Sequence, residues 1–179
     1  MNVFHAPIMI SRLLVLLASI EPLGAATGSA LEFHQLQRTQ RSAADLIRAG
    51  TPAQAVAHLR QNLRAEPGPG GEASALPQAL LELAADFFNR REIAPARQAL
   101  EQARTLAGPV LAGTTGATPQ RRAQLYSSFG LLYEAILFDP ANALACYEAA
   151  LSLHPAEPLS RNRRLGLIEK QRRRMGGSR

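Results

Sequence analysis

The sequence predicts an all-α protein built from stacked antiparallel helix pairs, and three observations support that prediction. The chain has 179 residues, 46% of them hydrophobic, which is enough for one domain with a buried core. Alanine, leucine and arginine are frequent, and these side chains lose little conformational freedom in a helix. Apolar residues recur at spacings of three and four in three successive segments, which places them on one face of a helix. Each segment is interrupted once and ends at a proline, so each is expected to form two helices.

Residues 1–30 have the pattern of a secretory signal peptide. Arg12 precedes an apolar run, residues 13–20, and small residues follow that run. The run is too short to cross a bilayer as a helix, which requires ~20 residues. We therefore expect a periplasmic or secreted protein whose translation starts at Met1 or Met9. The alternatives are an uncleaved segment that anchors the protein to the inner membrane, and a short helix of a cytoplasmic protein.

Three units with the same rhythm follow in residues 31–155. Their apolar positions lie on one face of each of the two helices. In the first unit these positions are Ala43, Leu46, Ala55, Leu59 and Leu63; in the second they are Leu80, Leu83, Ala84, Phe87, Ala96, Leu100 and Ala103; in the third they are Tyr126, Phe129, Gly130, Tyr133, Ala143, Tyr147 and Ala150. Such a helix pair cannot bury its apolar stripe alone, so neighbouring units are expected to supply the common core.

Short breaks divide each unit, and long loops join the units. The breaks fall at residues 49–52, 89–91 and 138–140. The joining segments near 67–77 and 107–119 are rich in Gly and Pro, which is typical of loops. We interpret both as flexible insertions, with a binding loop at 113–116 as the alternative.

Six small residues are expected at points where the two helices of a unit approach closely. They are Ala43, Ala84 and Gly130 on the first helices, and Ala55, Ala96 and Ala143 on the second helices. A larger side chain at one of these positions would overpack the contact, at a cost of ~1–3 kcal/mol.

The units resemble tetratricopeptide repeats, whose pattern is W-x₂-L-G-x₂-Y…A-x₃-F…P. In the third unit, which matches best, the corresponding residues are Tyr126, Phe129, Gly130, Tyr133, Ala143, Tyr147 and Pro155. This unit has one extra residue in the turn between its helices. The resemblance implies a tetratricopeptide-like α-solenoid of about three repeats, closed by a C-terminal capping helix.

The same resemblance implies a non-enzymatic scaffold or adaptor that binds another protein. In such arrays the first helices line a concave groove that holds a peptide or an extended segment. The groove positions carried over to this sequence are Gln40, Ile47, Gln78, Leu81, Phe88, Gln124, Ser127, Leu131 and Glu134. They form an amide and apolar surface with few charges, and they lack the basic and asparagine side chains of the family's carboxylate-clamp subgroup. We expect Phe88 and Leu131 to lie on the groove wall and not in the core.

Residues 156–179 are predicted to form a basic capping helix and tail. The eight basic residues and one glutamate after position 158 give this segment a net charge of +7, which leaves −1 for the rest of the chain. We expect Leu165 and Ile168 to cover the last unit, with the arginines facing water.

The basic tail also suggests an alternative function. A peripheral envelope protein could use Arg172, Arg173 and Arg174 to bind an anionic membrane surface. Nucleic acid is not expected as a partner, because the body is not basic and the tail contains no aromatic residue on which a base could stack.

No catalytic, cofactor or metal site is predicted. The four histidines lack metal-ligating spacing, and neither H-E-x-x-H nor G-x-S-x-G occurs. Glu82 and Asp86 lie four residues apart, and we interpret them as part of a solvated helix face. Cys146, the single cysteine, is expected to be a small buried residue. We therefore expect a non-enzyme without a cofactor; an enzyme with an unrecognised site is the alternative.

Overall fold

The computed structural model describes residues 30–63 and 68–176. These residues form seven helices and contain no strand, which confirms the predicted all-α class. The helices are α1 (Ala30–Arg48), α2 (Pro52–Asn62), α3 (Gly71–Asn89), α4 (Ile93–Leu111), α5 (Pro119–Leu132, continued by a π-helical turn at Tyr133–Leu137), α6 (Pro140–Leu153) and α7 (Pro158–Gly176). The predicted signal peptide, apart from its last residue, lies outside the described residues.

Consecutive helices pack as pairs: α1 with α2, α3 with α4, and α5 with α6. The turns inside the pairs span residues 49–51, 90–92 and 138–139, which is short enough to make each pair antiparallel. These turns confirm the three predicted breaks to within a residue. The first helices of neighbouring pairs also contact each other, α1 with α3 and α3 with α5, and α7 packs on α6 and α5.

The close approach predicted inside the pairs is present. All five predicted alanines are completely buried. At Gly130, on α5, an added Cβ would lie 2.6 Å from Cε1 of Tyr147, on α6. Tyr147 is itself completely buried, so its ring fills the space that the glycine leaves open. Small residues are therefore buried inside each pair, and at Gly130 the absence of a side chain permits the close contact of α5 and α6.

The extra residue of the third unit is absorbed by a π-helical turn. In the first two turns the closing backbone bond spans five residues, from Thr51 N–H to Leu46 O and from Glu92 N–H to Phe87 O. In the third turn it spans six, from Asp139 N–H to Tyr133 O. A π-helical turn accommodates one inserted residue without ending the helix.

Parts of both predicted loops, residues 71–77 and 107–111, are helical. Helix α3 begins at Gly71 and includes Pro77, while α4 continues past Pro109 to Leu111. The ring of Pro77 is fully buried, and this apolar burial offsets the backbone hydrogen bond that a proline cannot donate. Burial of Val110 similarly favours the last turn of α4. The connection between α4 and α5 is therefore reduced to residues 112–118.

Helix α7 confirms the predicted C-terminal helix but corrects the register of its buried face. Leu165 is 58% exposed, so it does not cover the third pair. Leu167 is buried instead, together with Ser160, while Ile168 is half-buried. The buried face of α7 thus contains one large apolar side chain and a serine, which makes its contact with the body unusually polar.

Candidate functional site

A concave cleft lies between α1 and α3 in the described part of the chain, with a volume of about 520 Å³. Its lining residues come from both helices and are mostly long and polar. They are Gln37, Gln40, Arg41, Ala44, Asp45, Arg48, Glu82, Leu83, Asp86 and Arg90. Because α1 and α3 are the first helices of neighbouring pairs, the cleft lies on the side of the molecule where the groove is predicted.

A hydrogen bond between an amide and a carboxylate crosses the cleft. Gln40 Nε2 donates to Glu82 Oε2 over 3.0 Å, and Gln78 Nε2 donates to Glu82 Oε1 over 3.4 Å. Glu82 is therefore an acceptor shared by α1 and by its own helix. The Gln40 bond therefore links the two walls through side chains that remain in contact with solvent.

Ion pairs neutralise most of the charge at the cleft. Arg48 contacts Asp45 Oδ1 over 2.9 Å, and Arg90 contacts Asp86 Oδ2 over 3.0 Å. Arg48 also donates two hydrogen bonds to Glu92, and these bonds hold the pKa of the Glu92 carboxyl below its ordinary value.

Arg41 differs from the other two arginines of the cleft. It is exposed and forms no ion pair within the described residues. Gln37 lies one helical turn before it on the same wall. An unpaired guanidinium beside an amide offers donors and an acceptor to a ligand without first breaking an internal salt bridge.

Only part of the predicted groove is an accessible surface. Gln40 lines the cleft, while Gln78, Phe88 and Gln124 are half-buried. Ile47, Leu81, Ser127 and Leu131 are buried, at 1–3% exposure. The expectation that Leu131 lies on a groove wall is therefore wrong, and the other three are likewise not available to a ligand.

Helix α7 covers the α5 portion of the predicted groove. Ser127 Oγ lies 2.7 Å from Ser160 Oγ of α7 in a buried contact. The Glu134 carboxylate, 16% exposed, meets Lys170 Nζ at 3.3 Å and Arg163 Nη1 at 3.8 Å, and it accepts a hydrogen bond from the Tyr147 hydroxyl over 3.4 Å. These groups are thus occupied by the chain's own C-terminal helix.

The sequence interpretation missed the charged character of the cleft. Glu82 and Asp86 were assigned to a solvated face, yet they form one wall of the cleft. The signal was present in the spacing: Arg41, Asp45 and Arg48 follow each other at intervals of four and three residues, as Glu82, Asp86 and Arg90 do at intervals of four. Two charged stripes on two first helices could have indicated a shared polar surface.

A smaller cavity, about 230 Å³, lies over α5 between α4 and α6. Its aromatic lining includes Tyr126, Phe129 and Tyr133, with the last two rings stacked at a centroid distance of 6.1 Å. Cys146 also borders it, and burial raises the pKa of that thiol to about 11. The thiol is therefore protonated at neutral pH and a poor nucleophile.

Comparison of the chain with models of protein families, with curated proteins and with solved structures finds no match. Within the described helices, none combines the length and hydropathy that a membrane span requires. The same residues contain no cluster of three or more His, Cys, Asp or Glu side chains arranged to hold a metal ion.

Proposed function

We propose that this protein is a non-enzymatic interaction scaffold, a tetratricopeptide-like helical array that binds a segment of another protein in the cleft between α1 and α3. The observation that supports it most directly is the unpaired Arg41 in an open cleft whose other arginines are neutralised. A partner segment would bring a carboxylate or a carbonyl oxygen to Arg41. Its backbone would exchange hydrogen bonds with Gln37, as extended peptides do with polar side chains in grooves.

The array itself is supported by the equivalence of the three helix pairs. Each pair has buried alanines at corresponding positions, or Gly130 in place of one, and each first helix is followed by one left-handed residue, Gly50, Arg91 or Phe138. The groove differs from the one carried over from the family, because α7 covers its α5 portion. The proposed ligand site is accordingly restricted to α1 and α3.

We further propose that the protein is exported. The described helices begin at Ala30, so removal of the predicted signal between Ala26 and Leu31 would leave nearly all of α1 in place. N-terminal sequencing of the protein from its native host tests this proposal. A mature chain that starts in that interval supports it, and an intact N-terminus on soluble cytoplasmic protein contradicts it.

Site-specific photo-crosslinking tests the binding site. A photoreactive amino acid replaces Gln37 in the cleft of the full chain, and in a matched variant it replaces the exposed Gln98 on α4. We expect the Gln37 variant, irradiated in native-host cells, to capture one defined segment that the Gln98 variant does not capture. Mass spectrometry then identifies the captured peptide.

A titration with that peptide measures the contribution of Arg41. We expect Arg41→Ala to weaken binding by about tenfold or more, since a hydrogen bond to a charged group contributes about 1.5–3 kcal/mol after exchange with water is taken into account. Arg97→Ala, which removes an exposed arginine from α4, is the control and should leave the affinity unchanged. Equal crosslinking from both positions, or equal affinities for both alanine variants, would contradict the cleft as the binding site.

A further inference from the structure

Three turns lie at one end of the molecule. Arg48, at the end of α1, is hydrogen-bonded to Glu92, at the start of α4, over 2.7 Å. Arg122, near the start of α5, donates a hydrogen bond to Leu111 O at the end of α4 over 2.8 Å. The two helices are therefore antiparallel, and the start of α4 lies at the end where α5 finishes. We call this end, with Ile93, Leu137 and Phe138, the turn end.

The turn end concentrates the exposed apolar side chains. The described residues include five large apolar residues that are exposed, and three of them are Ile93 at 39%, Leu137 at 38% and Phe138 at 78%. Phe138 also has a left-handed backbone, with φ of 53°. The corresponding position of the first turn is Gly50, with φ of 77°, so the fold there requires a left-handed residue and not an aromatic ring. An exposed phenylalanine in an unfavourable conformation suggests a contact surface.

Helix α7 brings positive charge to the same end. Ser160 meets Ser127 and Lys170 meets Glu134, so α7 runs parallel to α5. The residues after Lys170 therefore continue towards the end of α5, where Leu137 and Phe138 lie.

Two exposed arginines near the apolar tip carry positive charge that no acidic side chain of the described residues pairs with, whereas Arg48 and Arg90 at this end are paired. Arg172 is exposed and, like the exposed Arg91 of the second turn, forms no ion pair within the described residues. Arg173 is exposed and pairs with Glu169 of its own helix. Asp139, beside the tip, accepts hydrogen bonds from the backbone N–H and the side-chain amide of Asn142, which lower the pKa of its carboxyl; it remains one negative charge against the two unpaired arginines.

We propose that the turn end docks on an anionic membrane surface. Phe138 and Leu137 would enter the boundary between headgroups and acyl chains, with Ile93 at its edge. Arg91 and Arg172 would lie at the level of the lipid phosphates. In an anionic lipid surface, acyl chains lie directly below negatively charged phosphates, so an apolar tip with a cation on either side can contact both layers at once. A protein pocket would instead have to enclose the tip. None of these five residues lines the cleft between α1 and α3, so either proposal can fail without the other.

A fluorescent reporter placed in the tip tests the proposal. The chain contains no tryptophan, so Phe138→Trp introduces a single indole into the full-length protein. With vesicles of phosphatidylglycerol and phosphatidylcholine at low salt, we expect its emission to shift to the blue. Vesicles of phosphatidylcholine alone should give no shift, and added salt should reverse it. Leu137→Trp provides a second reporter should the first variant fold poorly.

The matched control is Leu165→Trp, a single indole at an exposed position of α7 between Ser160 and Lys170. Its emission should not change, even if residues 13–20 also bind lipid, because the reporter detects only its own surroundings. Unchanged emission at position 138, or an equal shift at position 165, overturns the proposal.

The charge contribution is measured in the Phe138→Trp background. Arg91→Gln should weaken vesicle binding about fivefold, the effect of about 1 kcal/mol for one cation near an anionic surface. Arg60→Gln, at the far end of α2, removes an exposed arginine from the opposite end and should have no effect. Equal weakening by the two variants would overturn the assignment of the turn end, because it would show a response to net charge alone.

Discussion

The two ends of the predicted groove have the same helical pattern but different surfaces. Between α1 and α3 the groove is an open cleft bordered by charged and amide side chains. Along α5 it is closed, with Leu131 buried and Ser127 in contact with Ser160 of α7. The difference shows that a repeat pattern specifies how helices pair, while the helix that packs next determines whether a face remains open.

The polarity of the two contacts also differs. The interior of the α5–α6 pair depends on apolar contact at Gly130 and Tyr147. The contact of α7 depends on Ser160, on Leu167 and on the cations that reach Glu134. We therefore expect the pairs to unfold cooperatively and α7 to open locally at a lower cost in free energy.

Substitution of Leu131 should give the largest effect. We expect Leu131→Ala to reduce the free energy of unfolding by ~2–5 kcal/mol, because it leaves a cavity at a residue that is 2% exposed. Gln40→Ala, at the open end, should stay within about 0.5 kcal/mol. Urea unfolding followed by circular dichroism measures both. If Leu131→Ala were as mild as Gln40→Ala, Leu131 would belong to an open wall after all.

Helix pairing was predictable from the sequence, whereas closure of the groove was not. Spacing of apolar residues located the turns near Gly50, Arg91 and Phe138, because local periodicity and helix-breaking residues are encoded within a few positions. The contact between Ser127 and Ser160 joins residues 33 positions apart, and a serine gives no periodic signal of burial. Burial of Leu167 was not predictable either, since an arginine-rich helix with few apolar residues has no clear apolar face.

The next effect concerns the spacing inside the α5–α6 pair. Gly130→Ala should cost ~1–3 kcal/mol, because its Cβ would lie 2.6 Å from the buried ring of Tyr147. Gly108→Ala is the control: nothing lies within 4 Å of its added Cβ, and α4 should gain up to about 1 kcal/mol in helix propensity. Thermal unfolding should therefore show shifts of opposite sign for the two variants. A loss of equal size at both positions would mean that backbone effects, and not the Tyr147 contact, determine the result.

A smaller effect is expected where α7 meets the body. Glu134→Gln weakens the attraction for Lys170 and Arg163, and we expect a loss of about 1 kcal/mol that is confined to α7. Hydrogen exchange should accelerate in α7, while exchange in α3 and α4 stays as it is. The control is Glu169→Gln, whose partner Arg173 lies on the same helix. Faster exchange throughout the chain would show that α7 belongs to the cooperative core.

The smallest expected effects concern the left-handed residues in the turns between paired helices. Arg91 and Phe138 adopt left-handed backbones, which cost roughly 1–2 kcal/mol for a residue with a Cβ. Glycine avoids this cost, but it loses more conformational entropy on folding, which offsets part of the gain in stability. Arg91→Gly and Phe138→Gly should therefore each stabilise the protein by about 0.5 kcal/mol, and Gly50→Ala should destabilise it. Chemical denaturation of the three variants and the unmodified protein, measured in parallel, gives the sign of each difference in the free energy of unfolding. Because the ring of Phe138 is 78% exposed, its removal forfeits almost no burial. A loss of stability in Phe138→Gly would mean that the ring supports the fold, and the turn end would then lose its strongest argument as a docking surface.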